Sequence, residues 1–269
     1  MGFVIIFRMF KAPFLVANWK MNYGIKQAVQ VTADIVVGLR GMRRKGQLVL
    51  CPSYPALLSV KQTIGDESIS LGAQDLSGQD RGAFTGEVAP WMIKEAGAEY
   101  VIIGHSERKK YFSETNESIN NKVKNALKEG LTPIICVGET FEERQENQKD
   151  HVVLRQVQNA LDGVKVSPIN PIIIAYEPVW VIGTGQAIEP SDAEYMHTLI
   201  RQVLIDLYPL VVVDHHTAIL YGGSVDENNV DEFCDKEHIQ GFLVGSASLH
   251  SQQFLKIIEK VCKESSAQS

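Results

Sequence analysis

The sequence lacks the features that would mark a membrane or nucleic-acid-binding protein. No apolar run approaches the roughly 20 residues that a helix needs to cross a bilayer, so no membrane association is expected. The 26 Lys and Arg residues are outnumbered by 32 Asp and Glu residues, which gives a net charge of −6. An acidic chain without a long basic cluster is not expected to bind nucleic acid.

The sequence also lacks the cysteine spacing of a zinc site or a disulfide framework. Its four cysteines are scattered without a C-x-x-C pair, and two of them lie in apolar, strand-like runs. This pattern predicts reduced thiols in a cytoplasmic protein. The apolar start MGFVIIFRMF has neither a cationic leading region nor a clear small-residue cleavage site, so no signal peptide is predicted.

Length and composition predict one globular domain. The chain has 269 residues, of which 45% are hydrophobic and 22% are charged. A single α/β barrel of roughly 250 residues fits this length without a linker. We expect an N-terminal extension over residues 1–10, one barrel over residues 11–264 and a short tail over residues 265–269.

Apolar, β-branched runs recur along the chain, and each ends in glycine or polar residues. Most are continuous, which is typical of parallel strands buried on both faces. The runs are FLVANW (14–19), QLVLCP (47–52), SISLGAQ (68–74), YVIIGH (100–105), TPIICVGE (132–139), PIIIAYEP (171–178), TAILYGGS (217–224) and GFLVGSAS (241–248).

Amphipathic stretches with helix signals separate these runs. NESINNKVKNALKEG closes on Gly130, and SDAEYMHTLIRQVLIDLY opens with Ser191-x-x-Glu194, the spacing of a capping box. Eight strand–helix units predict a single-domain (β/α)8 barrel in the α/β class. An open doubly wound sheet is less favoured, because no G-x-G-x-x-G follows the first strand.

Polar residues at the strand ends are the candidates for function, since these ends build the active site of such a barrel. They are Asn18, Lys20, Gln74, His105, Cys136, Glu139, Glu177, Ser224, Gly245 and Ser246. A carboxylate, an imidazole and an ammonium facing one cavity suit proton transfer next to a carbonyl. Each of Lys20, His105 and Glu177 alone could be an ordinary strand-end residue with a salt bridge, but together they favour catalysis.

Two further stretches indicate a phosphorylated substrate and a lid. The glycine-rich turns YGGS and VGS follow the last two strands, where barrels of this type often bind phosphate. Tight turning alone would also explain one glycine pair, but two adjacent turns favour a phosphate. The segment from Pro178 to Gln186 is apolar, stiff at one end and glycine-rich at the other, which favours a water-excluding lid over a buried turn.

Several motifs resemble the signature stretches of the triosephosphate isomerase family. They are NWKMN (18–22), GAFTGE (82–87), GHSER (104–108), CVGE (136–139), AYEPVW (175–180), IGTG (182–185) and YGGSV (221–225), spread over about residues 13 to 262. The resemblance implies a homodimeric TIM barrel that interconverts dihydroxyacetone phosphate and D-glyceraldehyde 3-phosphate in glycolysis and gluconeogenesis. It also implies that this small phosphorylated triose is handled without cofactor or metal.

The resemblance assigns roles to individual residues. It implies that Glu177 is the catalytic base, His105 the electrophile and Lys20 the catalytic lysine. The substrate-binding residues that it implies are Asn18, Lys20, Gly183, Ser224, Gly245 and Ser246. It further places Glu107 and Cys136 beside the reacting groups, and Thr85 in a loop that braces the partner subunit's active site.

The sequence departs from the family pattern at three positions. Ser246 stands where a second glycine is usual, Val181 replaces an alanine of the lid, and Gln186 replaces a lysine at its far end. These departures concern phosphate geometry and lid motion, and no reacting group is lost.

Two other functions and one metal site are alternatives to this hypothesis. One alternative is another phosphate-binding barrel enzyme, such as a Schiff-base aldolase. It would need a desolvated lysine in an apolar strand, which Lys20 beside Asn18 does not match. A catalytically silent scaffold could have lost the three reacting residues, and all three are present. His215 and His216 precede the seventh strand, away from the reacting residues and without a ligand cluster, so a solvated loop is expected there.

Overall fold

The structure is a computed structural model that describes residues 13–182 and 187–262. Eight parallel strands form a closed barrel in chain order, so the predicted single-domain (β/α)8 TIM barrel is confirmed. The strands are β1 (Phe14–Asn18), β2 (Gln47–Cys51), β3 (Ile69–Ala73), β4 (Tyr100–Ile103), β5 (Thr132–Val137), β6 (Ile172–Tyr176), β7 (Thr217–Tyr221) and β8 (Gly241–Val244). Each strand lies inside its predicted run.

Helices connect the strands and cover the outside of the barrel. They are α1 (Ile25–Leu39), α2 (Leu57–Ile64), α3 (Pro90–Glu95), α4 (Ser106–Phe112), α5 (Asn116–Lys128), α6 (Phe141–Gln145), α7 (Lys149–Leu161), α8 (Pro190–Leu207), α9 (Leu210–His216), α10 (Asp231–Cys234) and α11 (Ser251–Val261). Short 3₁₀ turns cover Tyr54–Ala56, Val179–Val181 and Ser246–Leu249. The predicted N-terminal extension and C-terminal tail lie outside the described residues.

Burial on both strand faces creates two apolar cores. Alternate residues such as Phe14, Val16 and Ile173 fill the barrel interior, while Leu15 and Ile174 pack outward against the helices. This explains why the strand runs are continuously apolar rather than alternating. The barrel interior is therefore a packed core and not a channel.

Local helix signals agree with the structure at α5 but not at α8. Helix α5 ends before Gly130, which has a φ of 67° that favours glycine. The predicted capping box of α8 is wrong, because no side chain caps this helix and Pro190 is its first residue. Glu194 instead accepts hydrogen bonds from the backbone N–H of His238, and its carboxylate lies 2.6 Å from the Nδ1 atom of that residue.

Candidate active site

One polar cavity of about 430 Å³ opens at the carboxyl ends of the strands. It brings together seven residues predicted from the sequence, namely Asn18, Lys20, His105, Glu177, Ser224, Gly245 and Ser246. It is also lined by five residues of the predicted runs and motifs, namely Ile182, Gly222, Val225, Leu243 and Ala247. Three further lining residues, Asp226, His250 and Gln253, belong to no motif identified from the sequence. Asp226 and His250 could have been suspected, because each closely follows a predicted phosphate-binding turn.

Glu177 lies at the centre of this cavity's hydrogen-bond network. Its backbone N–H donates to the carbonyl oxygen of Val137 at 2.7 Å, which fixes the residue to the end of β5. Its Oε2 atom accepts a hydrogen bond from the backbone N–H of Ser106 at 3.0 Å, and its Oε1 atom lies 3.2 Å from Nε2 of His105. The side chain is almost fully buried. The carboxylate therefore bridges to the start of α4 in this structure.

His105 caps the helix that begins directly after it. Its Nδ1 atom accepts the backbone N–H of Glu107 at 3.2 Å. An Nδ1 atom in this acceptor position favours the tautomer that carries its proton on Nε2. That Nε2–H faces Glu177 and the cavity.

Lys20 is held in a backbone conformation that is rare for residues other than glycine. Its φ is 49°, and such left-handed conformations cost free energy and cluster at functional sites. Its backbone N–H donates to Oδ1 of Asn18 at 3.1 Å, and the side chain of Gln74 donates to its carbonyl oxygen at 2.8 Å. The ammonium lies 2.6 Å from Oε1 of Glu107. Lys20 is thus a fixed, paired cation.

Two glycines leave space for Glu177. A Cβ atom at Gly138 would lie 1.7 Å from the carbonyl oxygen of Glu177, and one at Gly222 would lie 2.9 Å from its Cγ atom. Both distances are shorter than carbon contacts allow. The backbones of the β5 and β7 ends therefore approach Glu177 as closely as glycine permits.

Cys136 is buried inside the barrel beside Glu177. Burial raises the pKa of its thiol well above the ordinary value, and the neighbouring carboxylate raises it further. A thiol in this setting stays uncharged and packs as a small apolar group.

The first part of the predicted lid is anchored through Glu139. This fully buried carboxylate accepts hydrogen bonds from the hydroxyl of Tyr176 at 3.1 Å and from Nε1 of Trp180 at 3.2 Å. Arg144 lies over the Trp180 ring, 4.9 Å from its centre. Burial raises the pKa of Glu139. The far part of the predicted lid, including Gly183 and Gln186, lies outside the described residues, so its closure stays a prediction.

The remaining predicted residues lie around the cavity or away from it. Glu107 lines an adjoining cavity of about 480 Å³, next to Lys20 and His105. Thr85 is exposed in the loop after β3 and does not line the cavity that holds Glu177. His215 and His216 end α9, directly before β7, so the expected loop is wrong at these two residues.

Residues 13–182 and 187–262 contain neither a candidate metal cluster nor a candidate membrane-spanning helix. No group of three His, Cys, Asp or Glu residues there could hold a metal ion. Within the same residues, no helix is both long enough and apolar enough to cross a membrane.

The environment of Lys20 does not favour the aldolase alternative. A Schiff-base lysine is activated by desolvation in an apolar setting. A quarter of the Lys20 side chain is exposed, and its ammonium is paired with Glu107. A lysine that is partly exposed and paired with a carboxylate is suited to binding an anion.

The chain is similar to known proteins over nearly its whole length. The model of the family described as Triosephosphate isomerase matches residues 13–261. A triosephosphate isomerase of Endomicrobium trichonymphae is 41% identical over 249 residues, which cover 93% of this chain and 98% of that protein. One of Herpetosiphon aurantiacus is 42% identical over 248 residues, covering 92% and 98% respectively.

A solved structure gives the same result for the fold. The crystal structure of triosephosphate isomerase from Bartonella henselae matches with a TM-score of 0.82 and 36% identity. The match covers 93% of this chain and 98% of the other. The similarity therefore extends over the barrel and all strand ends that line the cavity.

Proposed function

Since this chain belongs to the triosephosphate isomerase family, we propose that Glu177, His105 and Lys20 carry out the proton transfers of the reaction of that family. The chain is an isomerase that interconverts dihydroxyacetone phosphate and D-glyceraldehyde 3-phosphate, a step of glycolysis. The observation that carries the residue assignment is the convergence of one carboxylate, one imidazole and one ammonium in a single cavity.

Glu177 is the base that moves the proton between the two carbons. Its carboxylate removes a proton from C1 of dihydroxyacetone phosphate, which leaves an enediolate, and returns a proton to C2. A second proton passes between the two oxygens, so the reaction is a balanced rearrangement that needs no external oxidant. Closure of the cavity would exclude water from the carboxylate during the proton transfers.

His105 and Lys20 act on the oxygens. The Nε2–H of His105 donates a hydrogen bond to the carbonyl oxygen and delivers the proton that moves between O1 and O2. A neutral imidazole suits this role because its Nδ1 atom is already an acceptor for Glu107. The ammonium of Lys20 stabilises the negative charge that develops on the enediolate.

The phosphate group binds at the other end of the cavity. Ser224 follows β7, while Gly245 and Ser246 follow β8, so backbone N–H groups and two hydroxyls lie on adjacent strands. Trp19 fastens this region to β1, because its Nε1 atom donates to the carbonyl oxygen of Ser248 at 3.2 Å. We include Gly183 as the lid contact, although it lies outside the described residues.

The active form is a homodimer. Phe84, 46% exposed, lies beside Thr85 in the loop over residues 82–87. The cavity adjoining Lys20 is bordered by exposed apolar side chains, including Met21 at 95% and Phe112 at 67%. Exposed apolar surface of this kind marks a protein interface, and we assign the partner's residue 82–87 loop as its occupant. This loop would brace Lys20 in the other subunit. The cytoplasm remains the expected location.

A coupled isomerase assay with D-glyceraldehyde 3-phosphate tests the assignment. The unaltered protein and Glu177→Gln are compared, since the amide keeps the shape of the side chain but cannot accept the C–H proton. We expect near-complete loss of turnover in the variant. Turnover close to that of the unaltered protein would reject Glu177 as the base.

A further inference from the structure

Lys109 makes a contact that the reaction described above does not use. It lies on α4, and its side chain is directed toward the barrel rather than into solvent. Its ammonium donates to the carbonyl oxygen of Cys136 at 2.9 Å and to Oε1 of Gln156 at 3.1 Å. It does not line the cavity that holds the substrate. The side chain therefore joins α4, β5 and α7 directly behind the reacting residues.

Gln156 extends this connection to the backbone beside Glu177. Its Oε1 atom accepts the N–H of Gly138 at 2.9 Å, and its Nε2 atom donates to the carbonyl oxygen of Gly138 at 3.0 Å. Gly138 packs against the backbone of Glu177 so closely that no Cβ atom fits between them. Any movement of Gly138 is therefore transmitted to Glu177 by direct contact.

The backbone of Lys109 is linked to the other reacting residue. Its N–H donates to the carbonyl oxygen of His105 at 3.2 Å, within the first turn of α4. The same turn presents the N–H of Ser106 to the Glu177 carboxylate. The backbone of Lys109 is thus hydrogen-bonded to His105. Its side chain contacts β5 and α7, which support Glu177.

We propose that Lys109 is a positioning residue that sets the separation and orientation of His105 and Glu177. Its ammonium clamps α4 to the end of β5 and, through Gln156, to the backbone of Gly138. This inference rests on the roles proposed above for His105 and Glu177. A clamp of this kind matters because a misplacement on the order of 1 Å can lower a rate about a hundredfold.

The charge of Lys109 adds a second effect. Burial lowers the pKa of its ammonium, while Cys136, Glu177, Glu114 and Glu143 oppose that change. Cys136 lies on β5, Glu177 follows β6, Glu114 follows α4 and Glu143 lies on α6. All four favour the charged form of Lys109. A cation behind Glu177 in turn favours the ionised carboxylate, which is the form that acts as a base. Removing the cation should therefore move the acid limb of the kcat/KM profile toward higher pH.

The main test compares Lys109→Met with Lys109→Arg and with Lys110→Met. Methionine keeps the length and packing but removes the charge and the donors, and arginine restores both. Lys110 is the exposed neighbour on the same helix and serves as the matched control. We expect Lys109→Met to lower kcat about tenfold or more, to change KM little and to shift the acid limb upward. Lys109→Arg should recover most of kcat, and Lys110→Met should match the unaltered protein.

A second variant separates positioning from charge and does not depend on whether Lys109→Met folds. Gln156→Met removes the link to Gly138 but keeps the cation, so kcat should fall while the acid limb stays in place. Unchanged kcat in folded Lys109→Met or in Gln156→Met would reject the clamp. The clamp would also be rejected if the loss of kcat in Lys109→Met were no larger than the fraction of that variant that is unfolded. Failure of Lys109→Arg to recover kcat would reject it as well. Glu177→Gln, measured alongside, shows separately whether the proposed base itself is correct.

Discussion

The Nε2 atom of His105 and the Oε1 atom of Glu177 lie 3.2 Å apart across the cavity. In this arrangement the imidazole N–H is directed at the base instead of at a substrate oxygen. The Glu177 carboxylate is further occupied by the N–H of Ser106. Substrate binding must therefore separate the two side chains, so that each one faces a different atom of the triose. We expect the carboxylate to leave Ser106 when the lid closes.

Shortening Glu177 to aspartate should reduce kcat by about a hundredfold. Glu177→Asp keeps the charge but withdraws the carboxylate by one methylene from a position defined by Val137, Gly138 and Gly222. Steady-state kinetics of the folded variant measure this, with Glu142→Asp on the exposed face of α6 as the control. A kcat within a factor of about two of the unaltered protein would refute the assignment.

The His105 ring should carry its proton on Nε2 and not on Nδ1. Its Nδ1 atom accepts the N–H of Glu107, and protonation would place two N–H donors against each other. In ¹⁵N NMR spectra of selectively labelled protein, we expect a non-protonated Nδ1 and a protonated Nε2. A doubly protonated ring at pH 7 would contradict the proposed hydrogen-bond donor role.

Disrupting the apolar surface beside Lys20 should produce an inactive monomer. Met21→Arg places a charge on the most exposed apolar side chain bordering that cavity. Light scattering after size exclusion should show twice the 29.9 kDa chain mass for the unaltered protein and a single chain for the variant. The control is Val211→Arg, which changes a 62% exposed residue on α9. A fully active unaltered protein that runs as a single chain would exclude the dimer.

Ser246→Gly should change KM by a factor of only a few, which corresponds to roughly 1 kcal/mol or less. Lys20, Ser113 and Asn147 are the non-glycine residues with positive φ in the described part of the chain, so Ser246 has no left-handed strain to relieve. Its backbone N–H is kept in both forms. Steady-state kinetics test this, and loss of activity would show that the Ser246 hydroxyl is a required contact.

The buried His197 should make the protein less stable in mild acid. Its ring packs edge-on against Tyr176, and its Nδ1 atom lies 3.1 Å from the carbonyl oxygen of His238. Burial lowers the pKa of His197 from 6.5 to about 4. The unfolded chain therefore takes up this proton first, and stability is lost as the pH falls from about 6.5 to about 4. The difference between these two pKa values corresponds to a loss of about 3 kcal/mol in the free energy of unfolding once the pH lies below both.

Urea unfolding of the unaltered protein and His197→Gln at pH 7 and pH 5 measures this loss. Protein concentration is held fixed, because a dimer gains stability with concentration. The free energy of unfolding of the unaltered protein should fall by about 2 kcal/mol more than that of the variant. Exposed His215→Gln should behave like the unaltered protein. Equal losses in all three proteins would show that His197 does not titrate as inferred.

The sequence by itself determined the barrel and the identity of the residues at its mouth. Most of the eight apolar runs are continuous, which favours parallel strands covered by helices, and parallel strands carry their final polar residues to the same end. Glu177, His105 and Lys20 were therefore predicted to share a cavity from their positions in the chain. Motifs such as AYEPVW predict which reaction these residues catalyse, because the family resemblance links them to one chemistry.

The tertiary structure alone decided how those residues are held. The bridge from Lys109 through Gln156 to Gly138 joins residues far apart in sequence, and no periodicity or motif encodes such a contact. The same holds for Glu194, whose spacing predicted a helix cap although its carboxylate bonds to His238. Local patterns report which faces are buried, because burial follows the period of a helix or strand. Side-chain partners depend on the distances between elements. Those distances are fixed only when the eight strands form the closed barrel.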